Sequence, residues 1–137
     1  MNTELHQKLK NFVAEVKREY HVYSVILYGS HARSEVKKDS DIDIVVVADF
    51  NEIFLDRIGS LIEIGHELPN LEPLGYTKEE FVTMFKKGHV TVLDCLEEGE
   101  ILYDDGLIGQ LKVEFNEAKQ KGLRKTKVSW IIDALME

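Results

Sequence analysis

Two short apolar runs rich in β-branched residues, "VYSVILY" at 22–28 and "DIDIVVV" at 41–47, constrain this chain more than any other feature. Runs of that length and composition favour strands over helices. The first ends at Gly29-Ser30, a turn signal. The second opens with alternation, Asp41 and Asp43 on one face and Ile42 and Ile44 on the other, then closes on valines as a mostly buried strand does. Hydrophobic packing requires neither a Gly-Ser turn there nor two acids on one strand face.

Helical periodicity surrounds the pair. Leu5, Leu9, Phe12, Val13 and Val16 recur at helical spacing over 3–19, and Ile53, Phe54, Leu55, Ile58, Leu61 and Ile62 do so over 51–66. A short helix is predicted over 30–37, with Ser30 as its N-cap. Residues 70–75, "NLEPLG", read as a strand that Pro73 confines to an edge or an end. Thr77 and Glu80 form a capping box opening a helix that Gly88 closes. Residues 89–97 fit a helix through Val90, Leu93 and Leu96 or a strand through "VTV"; 100–103 read as extended; 107–136 read as one or two helices broken near Gly122. The predicted fold is α/β (α+β), a small mixed sheet flanked by helices in one domain over 1–137. Residues 107–137 are a candidate partner-docking segment, with Trp130, Ile131, Ile132 and Leu135 reading either as a partner surface or as core.

The totals narrow the function. The net charge is −8, with no clustered basic face, which argues against a nucleic-acid partner and for a metal site or a basic protein. No apolar run approaches a membrane span, no secretory core follows Met1, and the single cysteine, Cys95, excludes an internal disulfide. These features point to the cytoplasm. Cys95 sits among apolar residues and reads as a buried small hydrophobe. His66 and His89 lack metal-ligand spacing and read as structural.

Chemistry concentrates between the two strands. Two carboxylates a few ångströms apart repel, unless a proton or a cation lies between them. Mg²⁺ suits such a pair, with phosphates and water completing its shell. Gly29 lets the backbone approach a ligand, Ser30 opens a helix whose N–H groups face an anion, and Arg33 reaches the same anion. Together they accommodate a metal-bound polyphosphate. Against this, a Gly-Ser turn or an Asp-x-Asp pair alone is usually structural. His31 reads as a ligand contact or an exposed helix position, and Lys37 and Lys38 as a solvated loop tip rather than phosphate-steering groups.

"G-S-x-A-R" followed by "S-D-I-D-I" resembles the signature of the polymerase-beta-like nucleotidyltransferases, most closely the minimal nucleotidyltransferases paired with HEPN proteins in toxin–antitoxin modules. The matching residues are Gly29, Ser30, Ala32, Arg33, Ser40, Asp41, Ile42, Asp43 and Ile44; Ser34 departs where the family often has a second glycine. The resemblance implies that fold, an NTP substrate (ATP), Mg²⁺ on Asp41 and Asp43, and phosphates on Gly29, Ser30, Arg33 and Ser40. It also implies a third carboxylate, for which Glu72 in "NLEPLGYTKEEF" is the candidate. The acceptor it implies is a tyrosine hydroxyl of a HEPN-type toxin, which adenylylation would neutralise, in a homo- or hetero-oligomer. The alternatives are a small aminoglycoside-like acceptor, or a non-catalytic antitoxin that neutralises its partner by covering it.

Overall fold

The computed structural model describes residues 3–29, 32, 40–125 and 130–132. The predicted helix over 30–37 lies outside the described residues. Helix α1 (Thr3–Glu19) leads into β1 (Val22–Tyr28), then β2 (Ile42–Ala48), α2 (Phe54–Ile64) and β3 (Leu71–Tyr76). Helices α3 (Lys78–Lys86) and α4 (Val90–Glu98), strand β4 (Glu100–Asp104), helix α5 (Leu107–Gln120) and strands β5 (Leu123–Lys125) and β6 (Trp130–Ile132) follow.

Four strands form one mixed sheet in the order β3-β2-β1-β4. β1 runs antiparallel to β2 and to β4, while β2 and β3 run parallel, joined by the α2 crossover. Pro73 sits in β3 at the sheet edge, where a missing N–H is tolerated.

Both faces of the sheet are covered, which explains why β1 and β2 read as nearly continuous apolar runs. Val25, Leu27, Ile44 and Val46 pack on one face with Leu9, Phe12 and Val16 of α1 and Leu61 of α2. Ile26, Val45 and Val47 pack on the other with Phe81, Leu93, Leu96, Leu111 and Phe115 of α3, α4 and α5. Each such buried side chain contributes on the order of 1.5–3 kcal/mol relative to exposure. Cys95 is fully buried in the second cluster.

Helix α3 begins as its sequence signals: the Glu80 N–H donates to the Thr77 hydroxyl, and the Glu80 carboxylate accepts from the Thr77 N–H. The ambiguous 89–97 segment is helical; Val92, Leu93, Cys95 and Leu96 all bury there. The chain does break at Gly122, with φ at 110°, and among the described residues beyond it there are strands rather than a second helix. Trp130, Ile131 and Ile132 instead form β6, antiparallel to β5. A run of one aromatic and two β-branched residues suits a strand at least as well as a helix.

Two polar anchors carry no sequence signature. Arg57 of α2 is 7% exposed; it donates from Nε to the Glu52 carbonyl and from Nη1 to the Gly75 carbonyl and the Glu80 carboxylate. It thereby ties α2 to β3 and α3. Asp104, at the end of β4, accepts from the buried Ser24 hydroxyl at 2.7 Å and from the N–H groups of Ile108 and Gly109, fixing the start of α5.

Burial works to raise the Asp104 carboxyl, but the Ile108 N–H, the Ser24 hydroxyl and the Gly109 N–H outweigh it and hold it below its ordinary range. A depressed folded-state value stabilises the fold above the ordinary carboxylate range and loses that effect as pH falls through the folded value. Asp104→Ala should cost about 1 kcal/mol by loss of this cap. Denaturant unfolding across pH should show its deficit shrinking toward acid; a deficit unchanged with pH would contradict the role.

Candidate active site

The sheet register assembles the site. Tyr28 of β1 pairs with Asp43 of β2, and Asp43 pairs with Glu72 of β3. The three therefore form one row across three adjacent strands, spaced roughly 4.8 Å per strand. Asp43 precedes Val45 by two positions, so it shares the face covered by α3, α4 and α5. β2 begins at Ile42, so Asp41 stands just ahead of the strand rather than within it. It nonetheless reaches the same cluster, near enough for its charge to act on Glu72 together with that of Asp43.

Partial desolvation, then the charges of Asp41 and Asp43, hold the Glu72 carboxyl above its ordinary range. A cation among these carboxylates would relieve their repulsion. Desolvation and then the Asp43 charge push the Tyr28 phenol well up, so it stays a neutral hydrogen-bond donor in the row. Tyr28 was not among the sequence candidates. Its signal was positional: the last strand residue before the turn, made meaningful only by the register with Asp43.

Gly29 closes β1 with φ at 73°, a left-handed conformation that disfavours any side chain. A Cβ there would collide with Oδ2 of Asp43 and lie 3.2 Å from its Cγ. Close approach was the sequence expectation for Gly29; the group it approaches among the described residues is the Asp43 carboxylate. Ser40, half-buried, directly precedes Asp41. Ser30, Arg33, His31, Lys37 and Lys38 lie outside the described residues.

The row opens into a cavity of about 310 Å³ lined by Tyr28, Asp43, Glu72, Pro73, Leu74 and, from α2, Ile58 and Ile62. Among the described residues its donor set is carboxylate oxygen with one phenol and no sulfur or imidazole, the ligand chemistry of Mg²⁺ rather than Zn²⁺. Among the described residues, no three His, Cys, Asp or Glu side chains converge tightly enough to enclose a metal. Mg²⁺ does not require that, since it commonly takes one or two carboxylates and completes its shell with phosphate and water.

A small mixed sheet with an acidic row beside a glycine turn is the arrangement expected from the family resemblance. A family model described as "Nucleotidyltransferase domain" matches residues 9–134, and the chain belongs to that family. It is 36% identical over 88 residues to "Putative protein adenylyltransferase MJ1547" of Methanocaldococcus jannaschii, covering 60% of this chain and 65% of that protein. It is 43% identical over 44 residues to "Putative protein adenylyltransferase MJ1215" of the same organism, covering 32% and 51%. The chain thus spans less than two-thirds of the length of either relative. Among solved structures, a toxin–antitoxin complex with AMP-PNP superposes with a TM-score of 0.55 at 15% identity, covering 81% of this chain and 86% of that one. A nucleotidyltransferase-like protein from Sulfolobus solfataricus superposes with a TM-score of 0.50 at 18% identity, covering 72% and 79%. These two similarities concern the fold. No helix among the described residues is long and apolar enough to cross a membrane.

Gly29→Ala should destabilise the protein by about 1–2 kcal/mol through its left-handed backbone and also displace the Asp43 carboxylate. Chemical denaturation paired with a Mg²⁺-nucleotide binding titration checks both effects. Nucleotide binding of wild-type strength in the folded variant would contradict the Gly29–Asp43 contact as a constraint on the site.

Proposed function

We propose that this chain transfers AMP from ATP to a hydroxyl of a partner protein, a tyrosine of a HEPN-type toxin, and so acts as an antitoxin in the cytoplasm. The observation that carries the reading is the convergence of Asp41, Asp43 and Glu72 next to the Gly29 turn. The relatives named as protein adenylyltransferases support the transferred group and the protein acceptor. The toxin–antitoxin complex with AMP-PNP that shares the fold supports the nucleotide and the class of partner.

Asp41 and Asp43 would hold Mg²⁺, and Glu72 would hold a second ion or take a proton. Bound Mg²⁺ would supply charge stabilisation at the attacking and leaving oxygens. Gly29 leaves the Asp43 carboxylate room beside the turn, and Ser30, Arg33 and Ser40 would bind the phosphates. The acceptor oxygen forms a bond to the α-phosphorus of ATP while the bond to pyrophosphate breaks. The hydroxyl proton would pass to a carboxylate beside the acceptor, for which Glu72 is the candidate. Tyr28, kept neutral, stands opposite Asp43 in the row.

A binding-only antitoxin is the second reading, favoured by exposed apolar residues at α2, Leu55 at 73% and, just ahead of the helix, Ile53 at 68%. The two separate on one double substitution. Asp41→Asn with Asp43→Asn should fold, still bind the toxin, and transfer no label from ATP marked in its α-phosphate. Rate losses of at least 10²-fold are expected where charge stabilisation is removed. Toxin neutralisation by the double variant at wild-type level would overturn the catalytic reading and leave the covering one.

A further inference from the structure

The α2 helix presents an apolar face that the fold does not use. Its inward side is Arg57 and Leu61, both buried. Outward, Leu55 is 73% exposed, Ile62 47% and Phe54 37%, with Ile53 just ahead of the helix at 68%. Phe54, Ile58 and Ile62 repeat every four residues, and Leu55, Ile58 and Ile62 follow at three and four, so all four residues share one arc of the helix. Gly59 within that stretch has open space where a Cβ would stand.

This arc leads to the acidic row. Ile58 and Ile62 line the cavity that holds Asp43 and Glu72. At its other end, Phe54 lines a second cavity of about 460 Å³ with Tyr76, Glu79, Glu80, Thr83 and Met84. The surroundings are acidic. Asp56, Glu63 and Glu67 border the helix and Glu79 borders the second cavity, whereas Arg57 is buried against Glu80 and Lys78 lies over the Tyr23 ring. An apolar strip rimmed by acids on a chain of net charge −8 does not suit a second copy, because a two-fold contact would set the same acidic rims against each other. It suits a basic partner.

We propose that the exposed face of α2 seats the acceptor protein through an apolar ridge flanked by lysine or arginine, delivering its hydroxyl to the Asp43–Glu72 end of the strip. This rests on the group-transfer reading above and adds to it where the acceptor docks and what chemistry its docking surface carries.

The probe is a synthetic helical peptide with leucines four residues apart, flanking lysines and one tyrosine; a control replaces the lysines with glutamates. Fluorescence anisotropy at low salt reads binding to wild type, Leu55→Gln and Glu63→Lys, both changes lying on the exposed face. The lysine peptide should bind and the glutamate peptide should not, and each substitution should weaken binding about tenfold, the effect of a lost contact near 1.4 kcal/mol. MgATP binding, titrated in the same samples, should be unchanged by either substitution. Equal binding of both peptides, or no loss in the variants, overturns the docking face even where MgATP binds normally. Peptide binding without MgATP binding overturns the acceptor role and the group-transfer reading together. A wild-type dimer in sedimentation that Leu55→Gln dissolves would make a second copy the occupant and overturn the basic partner.

Discussion

The structure turns on the placement of like charges at the open end of a packed sheet. The parallel pairing of β2 with β3 and the antiparallel pairing of β1 with β2 put Tyr28, Asp43 and Glu72 in one row, with Asp41 reaching in from just ahead of the strand. Repulsion among three carboxylates costs free energy, which the apolar pairs further along the same strands offset. Val45, Val46 and Val47 of β2 are all fully buried, and Val25, Ile26 and Leu27 of β1 match them. The register is thereby pinned, since a slip of one residue would turn every buried side chain of β2 to the opposite face.

Around this core, fixed anchors keep the surroundings rigid. Arg57 clamps α2 to β3 and α3, so the cavity wall made by Ile58 and Ile62 is held against the edge strand that carries Glu72. Asp104 does the same for α5 on the far side of the sheet through Ser24 and the first N–H groups of the helix. The glycine at position 29 completes the arrangement by leaving the Asp43 carboxylate the space that any side chain would take.

Much of this was legible locally. Helix α1 and strand β1 fall where periodicity and β-branching put them, the capping box of α3 has both hydrogen bonds, and Pro73 marked an edge strand. The pair Asp41 and Asp43 was visible because alternation in a strand is a two-residue pattern. What was not legible depends on contacts distant in sequence. Glu72 could be named from the family resemblance, but its place beside Asp43 follows from β2–β3 register, which no local pattern encodes. Tyr28 and the buried Arg57 belong to the same category. The β5–β6 hairpin was missed because Trp-Ile-Ile after an amphipathic helix satisfies either period over so short a run. His66 and His89, read as structural, are exposed.

The most direct test is a crystal structure grown with Mg²⁺ and a non-hydrolysable ATP analogue. The account requires a cation on Asp41 and Asp43, with the triphosphate against the turn at Gly29. An analogue bound elsewhere, or a cation that leaves both aspartates uncoordinated, would contradict it.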